Sequence, residues 1–183
     1  GVYAFLRTAY FCDTPNQMRV AIVMFSDTAQ LVHTFTDTQT FSAVQSKLVS
    51  NAPPNPSNYQ SLPSVAFNQI SSLIGPGGQL APRRELLVAF FTSIGAYGDI
   101  NAATEAANRL KADSTIFALG ANYALESDLD AFASQPAYAS KAGTFAEFAS
   151  TVADVGSGVP MFKIDDEEEP EEGDCFGASL EIV

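Results

Sequence analysis

The sequence predicts an α/β domain, doubly wound, with a mostly parallel sheet, helices on both faces, and the first strand missing. Three observations predict it. Short apolar runs of β-formers recur at MRVAIVMF, ELLVAFFT and STIFALG, and such continuous runs suit strands buried on both faces. Between them lie segments with apolar residues at i, i+3, i+4 spacing, the pattern of a helix with one buried stripe. Helices and strands alternate along the chain, as parallel strands joined by crossovers must.

In chain order, Val2, Phe5, Leu6 and Ala9 share one helical face, and DTPNQ (13–17) ends that helix with turn residues. The strand from Met18 stops in Ser26 and Asp27, a polar pair at the strand's carboxyl end, where open α/β sheets keep their ligand crevices. A tight turn at Asp27-Thr28 leads into QLVHTF (30–35). The connection is too short for a crossover, so this strand is expected to be antiparallel and near an edge. Thr36 or Asp37 can cap a helix carrying Phe41, Val44 and Leu48 on one face. The proline-rich NAPPNPSN (51–58) is a loop. A longer helix then starts near Gln60, with Pro63 in its first turn, and points Leu62, Val65, Ala66, Ile70 and Leu73 inward.

After the glycine-rich loop at 75–82, the pattern becomes plainer. A strand is expected at 85–92 and a helix at 101–112 burying Ala103, Ala106, Ala107 and Leu110. A strand follows at 114–120, then a helix near 126–134 burying Leu129 and Phe132. A last helix at 144–155 buries Phe145, Phe148 and Val152. The chain begins with a helix where such a sheet expects its central strand.

Bulk properties exclude several functions. The formal charge is −12, but eight acidic residues lie between Asp165 and Asp174, which leaves −4 on the remainder. The acidic run reads as a solvated linker or tail. Nucleic acid is not an expected partner, because affinity there comes largely from basic contacts to phosphate. No apolar stretch approaches the roughly 20 residues that cross a bilayer. His33 is the only histidine and no nucleophile elbow is present, so a Ser/His/Asp hydrolase has no support. The glycine-rich 75–78 segment precedes a strand, whereas a phosphate cradle follows a strand and opens a helix. Cys12 and Cys175 could pair with each other, pair elsewhere or stay reduced, and no metal-ligand cysteine spacing occurs.

The element order and several phrases resemble the von Willebrand factor A domain. MRVAIVMFSDTAQLVHTF (18–35) resembles that family's second strand and the short antiparallel strand after it. RRELLVAFFTS (83–93) resembles its fourth strand, and STIFALGANYALESDLDAFAS (114–134) its fifth strand with the following loop and helix. TFAEFASTVADV (144–155) resembles its closing helix. The resemblance covers about Gly1 to Val155, so residues 1–156 are expected to form the A-like domain, truncated at its start, and 157–183 an acidic linker or tail. FTSIGAYGDI and the acidic linker with DCF resemble, in particular, secreted nematode proteins that place an A domain before a C-type lectin domain. On this topology Cys12 and Cys175 both approach the face opposite the crevice, which makes their disulfide a candidate pairing.

The resemblance implies a metal site built from a DxSxS motif after the first strand, a threonine before the third helix and an aspartate after the fourth strand, oxygen ligands suited to a hard ion. The DxSxS segment lies outside this sequence. The threonine position falls near Tyr59, or on Asn58 or Ser57 in a shifted register, and the aspartate position falls on Ser93. A degenerate site with no metal and no cofactor is therefore expected. The expected function is a non-catalytic, extracellular binding or adhesion module that recognises a protein partner, with carbohydrate reached only through an absent lectin domain. The alternative is a structural spacer for such a neighbour. Candidate rim residues are Ser26, Asp27, Asn58, Tyr59, Ser93 and Tyr97; tyrosines in rim loops can anchor a partner.

Overall fold

The computed structural model describes residues 19–51, 61–74 and 86–158. The helix expected at the start of the chain, both cysteines, the proline-rich and glycine-rich loops and the acidic segment lie outside the described residues.

Among the described residues the elements are, in chain order, β1 (Ile22–Phe25), β2 (Ala29–His33), α1 (Phe41–Ser50), α2 (Pro63–Ile74), β3 (Leu87–Thr92), α3 (Ile100–Leu110), β4 (Thr115–Ala121), α4 (Glu126–Phe132), β5 (Ala139–Ala142) and α5 (Phe145–Gly158), with a 3₁₀ turn at Pro136–Tyr138 before β5. β3, β4 and β5 form a parallel sheet, β4 in the middle. β1 and β2 form a separate antiparallel pair in which Phe25 faces Ala29 and Ile22 faces His33. Among the described residues no strand hydrogen-bonds β1 to β3, and what joins the two sheets is side chains. The Phe25 and Phe90 rings meet at 5.6 Å, and Phe67 from α2 lies 5.3 Å from Phe90. β1 is half-buried along its length rather than buried on both faces as its composition suggests, and among the described residues β2 is the one strand paired with it.

The strand period of two sorts the core into two layers. Val88 and Phe90 of β3 with Ile116 and Ala118 of β4 face Phe67 of α2, Ala103, Ala106, Ala107 and Leu110 of α3, and Leu129 and Phe132 of α4. Phe117, Leu119 and Ala121 turn the other way, against Val44 of α1, Ala142 of β5 and Phe148 of α5. Phe132 is fully buried and meets Phe67 and Phe90 edge-on, both at 5.3 Å, the tilted geometry aromatic quadrupoles favour. The doubly wound arrangement with helices on both faces is thus observed.

Several local expectations shift. α1 is capped by Thr40, whose hydroxyl accepts from Ala43 N, and not by Thr36 or Asp37. Asp37 instead accepts from Thr34 N at 2.8 Å and closes the turn after β2. α2 begins at Pro63, which leaves Leu62 outside the helix, where its N–H binds the Ser26 carbonyl at 2.7 Å. Phe145 is 61% exposed, because it is the first residue of α5 and only the residues a turn further in reach the sheet. β5 reads ASKA, without an apolar run, and forms as a strand by pairing with the second edge of β4.

Candidate functional site

The crevice end of the sheet is built from three connections: the β1–β2 turn, the β3–α3 loop and the β4–α4 loop. At the first, Ser26 is 3% exposed. Its hydroxyl donates to Asp27 Oδ1 at 3.1 Å, and its N–H donates to Thr28 O at 2.8 Å. Both groups are absorbed in shaping a tight turn, the ordinary work of an Asp at such a position.

In the β3–α3 loop, Thr92 folds the chain back on itself. Its hydroxyl accepts from Ile94 N at 3.1 Å and also bonds the Tyr97 hydroxyl. Tyr97 is only 7% exposed and packs 6.1 Å from Phe132, so its ring is core and unavailable as the partner anchor expected from its loop position. Burial pushes its phenol up to about 12, Asp128 and Asp99 push the same way, and the Thr92 hydrogen bond opposes them. Asp99 opens α3, yet its side chain serves the neighbouring helix: Oδ2 accepts from Ser64 N at 3.0 Å in the first turn of α2, where unpaired N–H groups and the helix dipole favour an anion. Ser93 is half-buried.

The β3–α3 and β4–α4 loops interlock at Gly95. A Cβ there would stand 2.6 Å from Tyr123 O, 2.6 Å from Leu125 Cγ and 2.9 Å from Leu125 N. Close backbone approach therefore requires glycine at this position. Each loop also contains one residue in the left-handed region, Ala96 at φ 59° and Asn122 at φ 52°. Asn tolerates that conformation; Ala does so at a cost of roughly 1–2 kcal/mol, which surrounding contacts must offset.

This interlock brings together residues that the sequence reading passed over. Ile94 (49% exposed), Leu125 (42%) and Tyr123 (82%) present apolar surface on the two touching loops. Single exposed apolar residues are ordinary, but three on adjoining loops form a patch of the kind that marks an interaction site. The available signal was Tyr-x-Leu after a strand ending in Gly120-Ala121, too short to separate surface from core. Beside the patch, α4 and β5 form an open cleft of about 280 Å³ lined by Glu126, Leu129, Asp130, Ala139, Ser140 and Lys141.

Asn58 and Tyr59 lie outside the described residues. Of the other expected rim residues, Ser26, Asp27, Ser93 and Tyr97 all lie on crevice-end connections, with Ser26 and Tyr97 buried. His33 is placed elsewhere: Ile22, its pairing partner, is at the opposite end of β1 from Ser26 and Asp27, so a Ser/His/Asp arrangement does not assemble. His33 is 1% exposed, and its Nε2 lies 3.1 Å from the Gln39 side-chain nitrogen, a donor, which assigns the acceptor role to the ring. Burial lowers its pKa most; Lys47 lowers it too, and Asp37 opposes.

For a divalent ion at the crevice, Ser93 offers a neutral hydroxyl where a carboxylate would stand. Among the described residues no three His, Cys, Asp or Glu side chains gather as a ligand group. A hard cation needs several oxygen ligands including carboxylates, and of the ligand positions expected from the resemblance only Ser93 lies among the described residues. Among the described residues no helix is long and apolar enough to cross a membrane.

No protein-family model matches the chain, and no curated protein matches it in sequence. Among solved structures it is similar to proximal thread matrix protein 1 from the mussel byssus. In the form with a zinc-occupied MIDAS motif, the TM-score is 0.70 at 18% identity, over 85% of this chain and 42% of that one. Two further structures of that protein give TM-scores of 0.69 (17% identity, 84% and 41% covered) and 0.66 (18% identity, 75% and 35% covered). The chain thus spans less than half the length of these neighbours. The fold is von Willebrand A-like.

Proposed function

We propose that this von Willebrand A-like domain is a non-catalytic, extracellular binding or adhesion module that recognises a protein partner at the carboxyl end of its sheet, without a metal. The observation that carries this reading is the Ile94, Tyr123 and Leu125 patch, exposed on two loops held together at Gly95. A binding surface on a rigid scaffold loses little entropy on association, and tyrosine is among the residues that most often dominate binding energy. The neutral Ser93 supports metal-independent recognition. The separation of His33 from Ser26 and Asp27 supports a role without catalysis. The similarity to a mussel byssus thread matrix protein is consistent with an extracellular setting.

The test compares the wild-type chain with the Ile94→Ser/Tyr123→Ser/Leu125→Ser variant, each coated on a surface and exposed to an array of purified extracellular proteins, with and without a chelator. Recognition at the rim predicts retention by the wild type that survives chelation and is lost in the variant, while the melting temperatures agree. Equal retention by both refutes the rim and favours a spacer that supports an adjoining module, lectin-type or other. Retention abolished by the chelator refutes the metal-free reading.

A further inference from the structure

We infer that His33 and Gln39 form an acid-operated latch: while the ring is neutral the Gln39 amide ties the entry of β1 to the turn after β2, and a proton on His33 Nε2 turns that amide over and parts the two segments. The inference goes beyond rim recognition and does not rest on it, because His33 stands at the opposite end of β1 from Ser26 and Asp27.

His33 is 1% exposed and Gln39 2%, so both must find their partners inside the protein. Backbone groups hold both ends of the Gln39 amide. Its Oε1 accepts from Val20 N at 2.6 Å, two residues before β1, while its Nε2 donates to Thr34 O at 2.9 Å and Asp37 O at 3.1 Å. These three partners fix which end of the amide is nitrogen. The nitrogen end is the one that meets His33 Nε2, at 3.1 Å. An amide nitrogen only donates, so the ring presents a lone pair there and carries its single proton on Nδ1. Nδ1 is buried without a hydrogen-bond partner, 3.7 Å from Asp37 Oδ2.

A second proton can enter only at Nε2, where it would set N–H against N–H in a buried site. Turning the amide over would offer Oε1 to the new N–H. The same turn would aim that oxygen at two carbonyls and the amide nitrogen at Val20 N, losing three backbone bonds for one gained. Buried polar groups left unmatched in this way are expensive. A protonated ring and a closed latch therefore exclude each other. Among the described residues few charges surround the ring. Asp37 on the turn favours its protonated form, Lys47 of α1 opposes it, and Arg19 beside Val20 is exposed. β1 and α2, which also pack on β2, carry no titratable side chain. Burial outweighs Asp37 and holds the ring below its ordinary 6.5, so the latch is closed at neutral pH and opens in the window beneath that value. Opening frees Val20 and the turn and leaves β3, β4 and β5 in place, since among the described residues no strand hydrogen bond joins them to β1.

The test follows the full chain by NMR from about pH 7.5 to about pH 4.5. His33 is the only histidine, so its ring signals are unambiguous. The ring nitrogens should report the Nδ1–H form at neutral pH, and ring and Val20 amide should share one inflection below 6.5. Across it, Val20 hydrogen exchange, corrected for base catalysis of exchange itself, should quicken about tenfold while the β4 amides keep their protection. In His33→Gln the Val20 protection should not depend on pH, and in Gln39→Leu Val20 should exchange fast at both ends of the range. An Nε2–H ring at neutral pH would overturn the latch. So would a ring that titrates with Val20 protection unchanged, β4 amides that open together with Val20, or the same acid loss in His33→Gln. Should either variant fail to fold, the wild-type titration decides by itself.

Discussion

Replacing Gly95 with alanine tests whether the rim is a rigid platform. The added methyl would stand 2.6 Å from a main-chain oxygen, 2.6 Å from Leu125 Cγ and 2.9 Å from a main-chain nitrogen. The leucine can rotate away, but the two backbone atoms move only if the β4–α4 loop moves. Overpacking of this kind costs typically about 1–3 kcal/mol. At roughly 2–4 °C per kcal/mol for a chain of this size, the melting temperature should fall by about 2 to 12 °C. Gly143→Ala provides the control, because the only close atom there is the end of the flexible Glu147 side chain, at 3.1 Å, and its effect should stay within about 0.5 kcal/mol. Differential scanning calorimetry on both variants measures the difference. Because the displaced loop carries Tyr123 and Leu125, Gly95→Ala should also weaken any rim-dependent binding. Equal stability of the two variants would mean that the loops do not interlock, and the contiguous patch would lose its basis.

Other predictions follow from the core and its buried polar groups. Phe132→Ala, which empties the junction of the Phe67, Phe90 and Tyr97 rings, should cost about 3–5 kcal/mol in urea unfolding; a cost below about 1 kcal/mol would show that these rings do not form the observed core. Thr92→Val removes the hydroxyl that bonds Tyr97 and Ile94 N, and should cost about 1–3 kcal/mol, unlike a Thr→Val control at the exposed Thr38, where little change is expected. Since the folded Tyr97 phenol is raised above its ordinary value of 10.0 to about 12, its stabilisation is complete below pH 10 and lost as pH rises toward 12, which alkaline unfolding curves would record. His33 behaves in the opposite sense. Its folded pKa lies below the ordinary 6.5, so keeping the ring neutral leaves stability intact above that pH and costs stability as pH falls through the window beneath it. Stability measured against pH should lose this slope in His33→Gln, and an unchanged slope would contradict a buried neutral ring.

The sequence alone carried the fold because burial follows period. Ala103, Ala106, Ala107 and Leu110 recur at helical spacing and are the four buried residues of α3. The runs at β3 and β4 are apolar on both faces because helices cover both, a demand that composition records directly. What period cannot record is contact between distant segments. ASKA carries no apolar run, and became β5 only through the backbone groups offered by β4. Tyr97 and Tyr123 are both loop tyrosines next to strands, indistinguishable by composition. One reaches Thr92 and Phe132 and is buried; the other projects into solvent. Tertiary structure alone decided the candidate site, since the patch exists only where the backbone at Gly95 comes close enough to Tyr123 and Leu125 to exclude even a methyl group.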